Sequence, residues 1–265
     1  MLIAQISDTH VRPKGKLYQG VVDSNAMLTA AVDAINALNP PPDVVLFSGD
    51  LVDEGLPEEY AMARELLRPL DKKLLMIPGN HDHRTNLRQA FPEHDYFIDD
   101  IGCHFVYSGP EPVRIIGLDI SVPEHHHGDM SDDAIQWLDR TLALEPEKPT
   151  LIMMHQPPFS SGIPYIDQYR CERGERLAEV VSRYPAVERI VCGHIHRFMQ
   201  LRFGGTLMCT APSTTTAIAL QLRPDATEAS YVEPPALLLH HWTTETGLIT
   251  HWVPIGTFAG PYAFA

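Results

Sequence analysis

No apolar run in this sequence reaches the roughly 18 residues that would suggest a membrane span. Nothing basic or long and apolar precedes the first apolar stretch at Leu2. We therefore expect no export signal, no membrane partner and a cytoplasmic location. Cysteine is scarce: Cys103, Cys171, Cys192 and Cys209, none of them in a Cys-x-x-Cys pair. A chain of 265 residues with 44% hydrophobic content can bury a core without staples, so four reduced, buried thiols are expected. Positive charge is short as well, with 20 Lys and Arg against 34 Asp and Glu for a net −14. That balance argues against a nucleic-acid partner, which needs a basic surface. It leaves room for a small phosphate ester, because bound cations would invert the local field. Internal repeats and low-complexity tails are absent too.

What is present is an alternation of apolar runs and helical patterns. Leu2 to Ile6 reads as a first strand. Asp23 or Ser24 is placed to cap a helix whose face is Leu28, Ala31, Ile35 and Leu38, stopped by Pro40-Pro41-Pro42. Val44 to Phe47 is a second strand. A helix starts at Pro57, a good first-turn residue, and a third strand ends at Ile77. A short helix covers Asn86 to Ala90. Tyr96 to Tyr107 and Val113 to Leu118 read as strands, then Ser131 caps a helix with Ile135, Leu138 and Leu142 inward and Trp137 packing beside it. Leu151 to Met154 is a strand, Gly162 to Tyr169 a loop, Glu172 to Tyr184 a helix, and Arg189 to Cys192 a strand. After Met199 the pattern turns to β. A hairpin forms around Gly204-Gly205, and strands are expected at Ser213 to Leu220, Leu237 to Trp242 and Thr250 to Val253. Pro224 to Pro235 reads as a flap or contact loop. Strands alternating with helices predict an α/β fold with largely parallel pairing.

Five short polar motifs each follow an apolar run: Asp8-Thr9-His10, Gly49-Asp50, Asn80-His81-Asp82 after Pro78-Gly79, His155, and Gly193-His194-Ile195-His196. Ligand sites in α/β folds lie beyond the carboxyl ends of strands, which is where all five stand. Asp8 and His10, at i and i+2 in extended chain, point the same way. Each piece alone is weak, since a lone Asp-x-His arises by chance and a lone histidine is more often a satisfied polar residue. Mixed carboxylate, amide and imidazole donors suit Mn, Fe, Co or Zn.

The ordered set resembles the calcineurin-like binuclear metallophosphoesterases, over about residues 3–197. Within them it is similar to the bacterial glycerophosphodiesterases and class III cyclic-nucleotide phosphodiesterases. The similarity lies in Ile6-Ser7-Asp8-Thr9-His10, Lys16-Leu17-Tyr18, Ser48-Gly49-Asp50-Leu51-Val52, Ile77-Pro78-Gly79-Asn80-His81-Asp82 and Ala259-Gly260-Pro261. The resemblance implies a four-layer αββα sandwich with a small C-terminal β cap. It also implies a catalytic core over 1–198, with 199–265 closing the core strands and supplying a cap or subunit-contact loop near 221–236. One metal ion would take Asp8, His10, Asp50 and His196, the other Asp50, Asn80, His155 and His194, with Asp50 shared. The activity implied is hydrolysis of small phosphodiesters by a hydroxide held between two divalent ions, glycerophosphodiesters first and 3′,5′-cyclic nucleotides second. Asp50, Asn80 and His81 would be catalytic. His81 would bond a phosphoryl oxygen or help protonate the leaving alkoxide, the plainer alternative being that it orients its neighbours. Asp82 would hold a ligand imidazole or the loop. Arg12, Tyr18 and the Pro224 to Pro235 loop are placed to contact the substrate's alcohol part, and His125, His126 and His127 read as a solvated loop near the rim. A homo-oligomer is expected.

Departures from other branches narrow the reading. Purple acid phosphatases place a tyrosine ligand three residues after the bridging aspartate, where this chain has Asp53. Phosphoprotein phosphatases carry an arginine and a glutamate where this chain has Glu54 and Asp82. Losing that arginine favours a diester monoanion over a monoester dianion. A nuclease of the same superfamily is disfavoured by the acidic balance. A non-catalytic scaffold is disfavoured because every ligand position is filled.

Overall fold

The computed structural model describes residues 1–94 and 102–264. Two sheets face each other. The first runs, in spatial order, Gly247–Pro254, Ala236–Thr243, Leu2–Ile6, Val44–Phe47, Lys73–Met76. The second runs Met199–Phe203, Thr206–Thr210, Val187–Cys192, Thr150–Met153, Arg114–Gly117, Phe105–Tyr107. In the first sheet Leu2–Ile6, Val44–Phe47 and Lys73–Met76 pair in parallel and the two late strands antiparallel; in the second, the pairings from Thr206–Thr210 to Arg114–Gly117 are parallel and both edge pairings antiparallel. Residues beyond 199 therefore add strands to both sheets.

The strand period of two separates three cores. Ile3, Val44, Leu46 and Leu75 meet Ile115, Leu151, Met153 and Val191 between the sheets. Their alternates Ala4, Ile6, Val45, Phe47 and Met76 turn outward onto Leu28, Ile35, Tyr60 and Leu67 of the helices Ser24–Asn36 and Pro57–Leu67. On the far side Ile116, Ile152 and Ile190 pack under Ile135, Leu138, Leu177 and Val181 of Asp132–Leu144 and Glu175–Val181. The result is helix, sheet, sheet, helix. Strands with both faces buried carry no polar alternation, which is why they read as unbroken apolar runs. Asp23, not Ser24, caps the first helix, accepting from the Ala26 amide at 3.0 Å. All four cysteines are buried and free. Trp137 stacks on His104 with ring centroids 4.9 Å apart. Among the described residues no helix is long and apolar enough to cross a membrane.

Four elements differ from expectation. Pro164 opens a one-turn helix, Pro164–Asp167, inside the segment read as loop. The helix expected from Glu172 starts at Glu175, because Cys171–Glu172 pairs with Gly128–Asp129 and Arg173 takes a positive φ of 55°. Only Ala217–Ile218 of the stretch Ser213 to Leu220 is strand, paired with Ser230–Tyr231. The Ser213 and Thr215 hydroxyls donate instead to the Asp8 carbonyl, at 2.8 and 3.2 Å. Phe105–Tyr107 forms a strand, whereas Tyr96 to Ile101 of the expected element lies outside the described residues.

The Asp119 carboxylate, fully buried, ties the two halves. It takes Arg84 in a two-point pair at 2.6 and 3.0 Å and accepts from the Cys103 amide and the Ser121 amide and hydroxyl. Burial pushes this carboxyl up, but Arg84 and the other donors outweigh it and hold it below the ordinary 3.8. Its stabilisation is therefore complete above pH 3.8 and lost as pH falls through the lower folded value. Asp119→Ala is expected to lower stability by roughly 2–4 kcal/mol at neutral pH, read by denaturant unfolding. A loss below ~1 kcal/mol would show that this pair does not hold the halves together.

Candidate metal centre

Leu2–Ile6, Val44–Phe47 and Lys73–Met76 of one sheet, and Thr150–Met153 and Val187–Cys192 of the other, end at a common seam. The loops that follow are stitched to one another. The Asp8 amide donates to Gly49 O at 3.0 Å, His10 N to Asp50 O at 3.2 Å, and Gly193 N to His155 O at 3.0 Å. The His194 amide donates to the Asp8 carboxylate, and the His81 amide to Asp50 Oδ1 at 2.9 Å.

The backbone here is strained. Asp8, His10, Asp50, His194 and His196 all have positive φ, between 41° and 70°. Among the described residues only Gln19, Glu124 and Arg173 share that state without being glycine. Each such residue costs roughly 1–3 kcal/mol, so the surrounding bonds must over-determine it. Glycine permits the close approaches. A Cβ on Gly79 would lie 2.1 Å from Asp50 Oδ1, and one on Gly49 2.3 Å from His155 Nδ1.

The side chains converge. Asp8, His10 and His196 form one group whose ligand atoms lie within 4.8 Å of one another, and Asp50, His155 and His194 a second. A third group is His10, Asp53 and His81. His10 Nε2 faces His196 Nε2 at 3.2 Å, and His155 Nε2 lies 3.2 Å from Asp50 Oδ2. Backbone carbonyls orient the rings. His155 Nδ1 bonds Ser48 O at 2.7 Å and His196 Nδ1 bonds Thr216 O at 2.8 Å, turning both Nε2 atoms inward. Asn80 Oδ1 and His194 Nε2 are buried with no hydrogen-bond partner. Buried acceptors converging without donors are what a cation site requires, and carboxylate, amide and imidazole together fit a borderline divalent ion.

Electrostatics follow from the same packing. Burial raises the Asp50 carboxyl, but His155, His81 and His10 more than reverse it and hold it well below the carboxylate range. Burial lowers His155, yet Asp50 and Asp8 push it up to about 9. Burial and then His155 drive His194 down to about 3, which keeps that imidazole neutral and its lone pair available. Burial and Asp50 lift Asp82 to about 6.

Of these residues His10, Asp50, Asp53, Asn80, His194 and His196 line a cavity of about 540 Å³, and Asp8 and His155 are buried outside its lining. His81 lines it, with Nδ1 held by Asp53 O at 2.6 Å. Tyr18 lines it too, stacked on His10 at 4.5 Å. Asp82 holds the loop and not an imidazole, accepting from the Gly79 and Leu51 amides and the Tyr60 hydroxyl. Arg12 is a correction: its guanidinium is taken by Asp53, Glu54 and Glu59 at 2.8–2.9 Å and is absent from the cavity lining. Three carboxylates outcompete any substrate contact there.

Four further lining residues were not singled out individually, although His126 lies in the expected rim loop and Glu228 in the expected contact loop. His126, exposed as expected for its loop, bonds the Asn80 amide nitrogen through Nδ1 at 3.1 Å. Tyr165 and Tyr169 stand on the cavity wall, and Glu228 comes from the late flap. The tyrosines, at i and i+4 beside Pro164, carried a usable helical signal. His126 was hidden in a run of three histidines, and Glu228 carried no local mark.

A family model described as calcineurin-like phosphoesterase matches residues 1–198. A probable glycerophosphodiester phosphodiesterase of Arcobacter nitrofigilis is 40% identical over 265 residues, covering all of this chain and 97% of that protein. A 3′,5′-cyclic adenosine monophosphate phosphodiesterase of Vibrio vulnificus is 30% identical across 80% of this chain and 76% of its own. A crystal structure of a dimetal phosphatase from Danio rerio superposes with a TM-score of 0.65 at 16% identity, covering 97% of this chain and 99% of that one, and shares the fold. With its strand-end donors gathered at one seam and that match along most of its length, the chain belongs to the calcineurin-like phosphoesterase family.

Proposed function

We propose that this protein hydrolyses small phosphodiesters, glycerophosphodiesters foremost, with two divalent ions of the Mn, Fe, Zn or Co type. The observation that carries the reading is the convergence of Asp8, Asp50 and four histidines in two buried groups, with Asn80 Oδ1, His155 Nε2 and His194 Nε2 buried and without hydrogen-bond partners. In this reading Asp8, His10, Asp50 and His196 hold one ion, and Asp50, Asn80, His155 and His194 the other. Bound there, the ion pair supplies an activated water and neutralises phosphoryl charge. The chain's own residues supply position. Thr216 O and Ser48 O fix two imidazoles, and His126 orients the Asn80 amide. With Nδ1 committed to Asp53 O, His81 has Nε2 to offer a phosphoryl oxygen or the leaving alkoxide. Tyr18 backs His10 from the substrate side.

Among the described residues the cavity lining holds no lysine or arginine, which supports a diester monoanion over a monoester dianion. Cyclic nucleotides are the second reading, favoured by the likeness to the Vibrio enzyme. The reading places the protein in the cytoplasm as a homo-oligomer; exposed Phe258, Tyr262 and Phe264 support association of copies. Metal analysis with side-by-side rates on a glycerophosphodiester, cyclic AMP and a plain monoester tests it. The glycerophosphodiester is expected to exceed the monoester in kcat/KM by ~10-fold or more. A monoester preference, or a protein without bound metal, would overturn the proposal.

A further inference from the structure

Leu2–Ile6 carries one polar side chain, Gln5, and it is fully buried. Gln5 shares its face of the strand with Ile3, so it points into the core between the two sheets. A carboxamide there needs its donors and its acceptor satisfied, whereas a leucine of similar volume would need nothing. Its donors go to two strand ends. Nε2 donates to Ser48 Oγ at 2.8 Å, just beyond Val44–Phe47 of its own sheet. It also donates to Cys192 O at 3.1 Å, the last residue of Val187–Cys192 in the facing sheet. Both ends lead into one ligand group. Ser48 O takes the Nδ1 hydrogen of His155 at 2.7 Å, and Asp50 stands two residues on. Cys192 is followed by Gly193 and His194.

The orientation of the amide is fixed from its other side. Cys192 O can only accept, so the amide nitrogen faces it and Oε1 faces His240 Nε2 at 3.1 Å. That ring nitrogen therefore carries the hydrogen, and Nδ1 accepts from the Thr250 hydroxyl at 2.8 Å. Arg189 donates to the same hydroxyl. Burial and then Arg189 drive His240 down to about 3, so the ring keeps the single hydrogen that this chain of bonds requires. The other ligand group is held by different bonds. Thr216 O fixes His196, and the Ser213 and Thr215 hydroxyls fix the Asp8 carbonyl.

We propose that Gln5 is a positioning residue for the ion assigned to Asp50, Asn80, His155 and His194. Its carboxamide sets the spacing between the loops after Phe47 and Cys192, one from each sheet, and so brings Asp50, His155 and His194 together. The inference rests on the two-ion reading of the site.

Gln5→Leu keeps the side-chain volume and removes both bonds. Chelator competition on the Mn(II)-loaded protein is expected to show one ion loosened by ~10–100-fold and the other changed by less than about threefold. The loosened ion should be the one that Asn80→Ala weakens. Adding Gln5→Leu to Asn80→Ala should therefore leave the remaining ion within about threefold. Turnover of a chromogenic diester at limiting Mn(II) should fall and then recover in excess Mn(II), with KM changed by less than about twofold. Leu28→Ala, in the outer core, is expected to lower stability and loosen neither ion. Ser48→Ala removes one of the two anchors and should loosen the same ion by a smaller factor; it carries the test if Gln5→Leu does not fold. Both ions loosened alike, or neither, would overturn the assignment of Gln5. One ion loosened selectively, in a protein that turns over no diester, would uphold it and overturn the diester reading alone. Wild-type protein that holds fewer than two ions would overturn the two-ion reading and this inference with it.

Discussion

Replacing Asn80 with alanine is expected to slow diester hydrolysis by ~10²–10³-fold, the scale of losing one group that positions and polarises the reacting centre. Asn80 Oδ1 is buried and unpartnered, while its amide nitrogen is held by His126 at 3.1 Å. The amide orientation is thus fixed by His126, and in the proposed ligand set the oxygen joins Asp50, His155 and His194. Removing that oxygen leaves the second group with three ligands. Metal analysis of Asn80→Ala is expected to show one ion retained and the other weakened. Added metal should restore part of the rate, which a merely misfolded variant would not allow. Full turnover with two tightly bound ions would exclude Asn80 as a ligand.

Much of this centre was legible because strand ends are marked in sequence. Val44, Leu46 and Val45, Phe47 are all apolar since their strand is buried on both faces, and the chain must turn polar where the sheet stops. Asp50 and Asn80 stand there, each beside a glycine that lets backbone and carboxylate touch. What stayed illegible depends on long-range pairing. Arg12 read as a free cation in a polar loop; its partners Asp53 and Glu59 are 41 and 47 residues away and meet it only through parallel pairing of the first two strands. Ser213 and Thr215 had strand propensity, but the Asp8 carbonyl, exposed by a positive φ, captured their hydroxyls. Glu228 enters the cavity across 178 residues from Asp50; its segment read as a flap or contact loop, but which of its residues faces the cavity is set by tertiary placement. Local rules place the donors, and tertiary competition decides which polar groups remain free to meet a substrate.

His81→Ala is expected to lower kcat by ~10²–10³-fold with both metal ions retained. The two effects separate because His81 touches the centre in two ways. Its backbone amide donates to Asp50 Oδ1 at 2.9 Å, and alanine keeps that bond. Its imidazole is clamped by Asp53 O at Nδ1 and stands edge-on to His10 at 4.8 Å, which presents the ring to the cavity. Deleting the ring therefore removes a group that lines the cavity, while the Asp50 carboxylate, proposed to be shared between the two ions, stays anchored. If the ring acts on the transition state, kcat and kcat/KM fall together and KM changes little. A leaving group that needs no proton, such as a nitrophenolate, should lose less than an alkyl alkoxide if Nε2 supplies the proton. Equal losses would instead assign His81 to charge stabilisation at the phosphoryl oxygens. Loss of metal from His81→Ala would make the ring a support for His10 and exclude it from the chemistry.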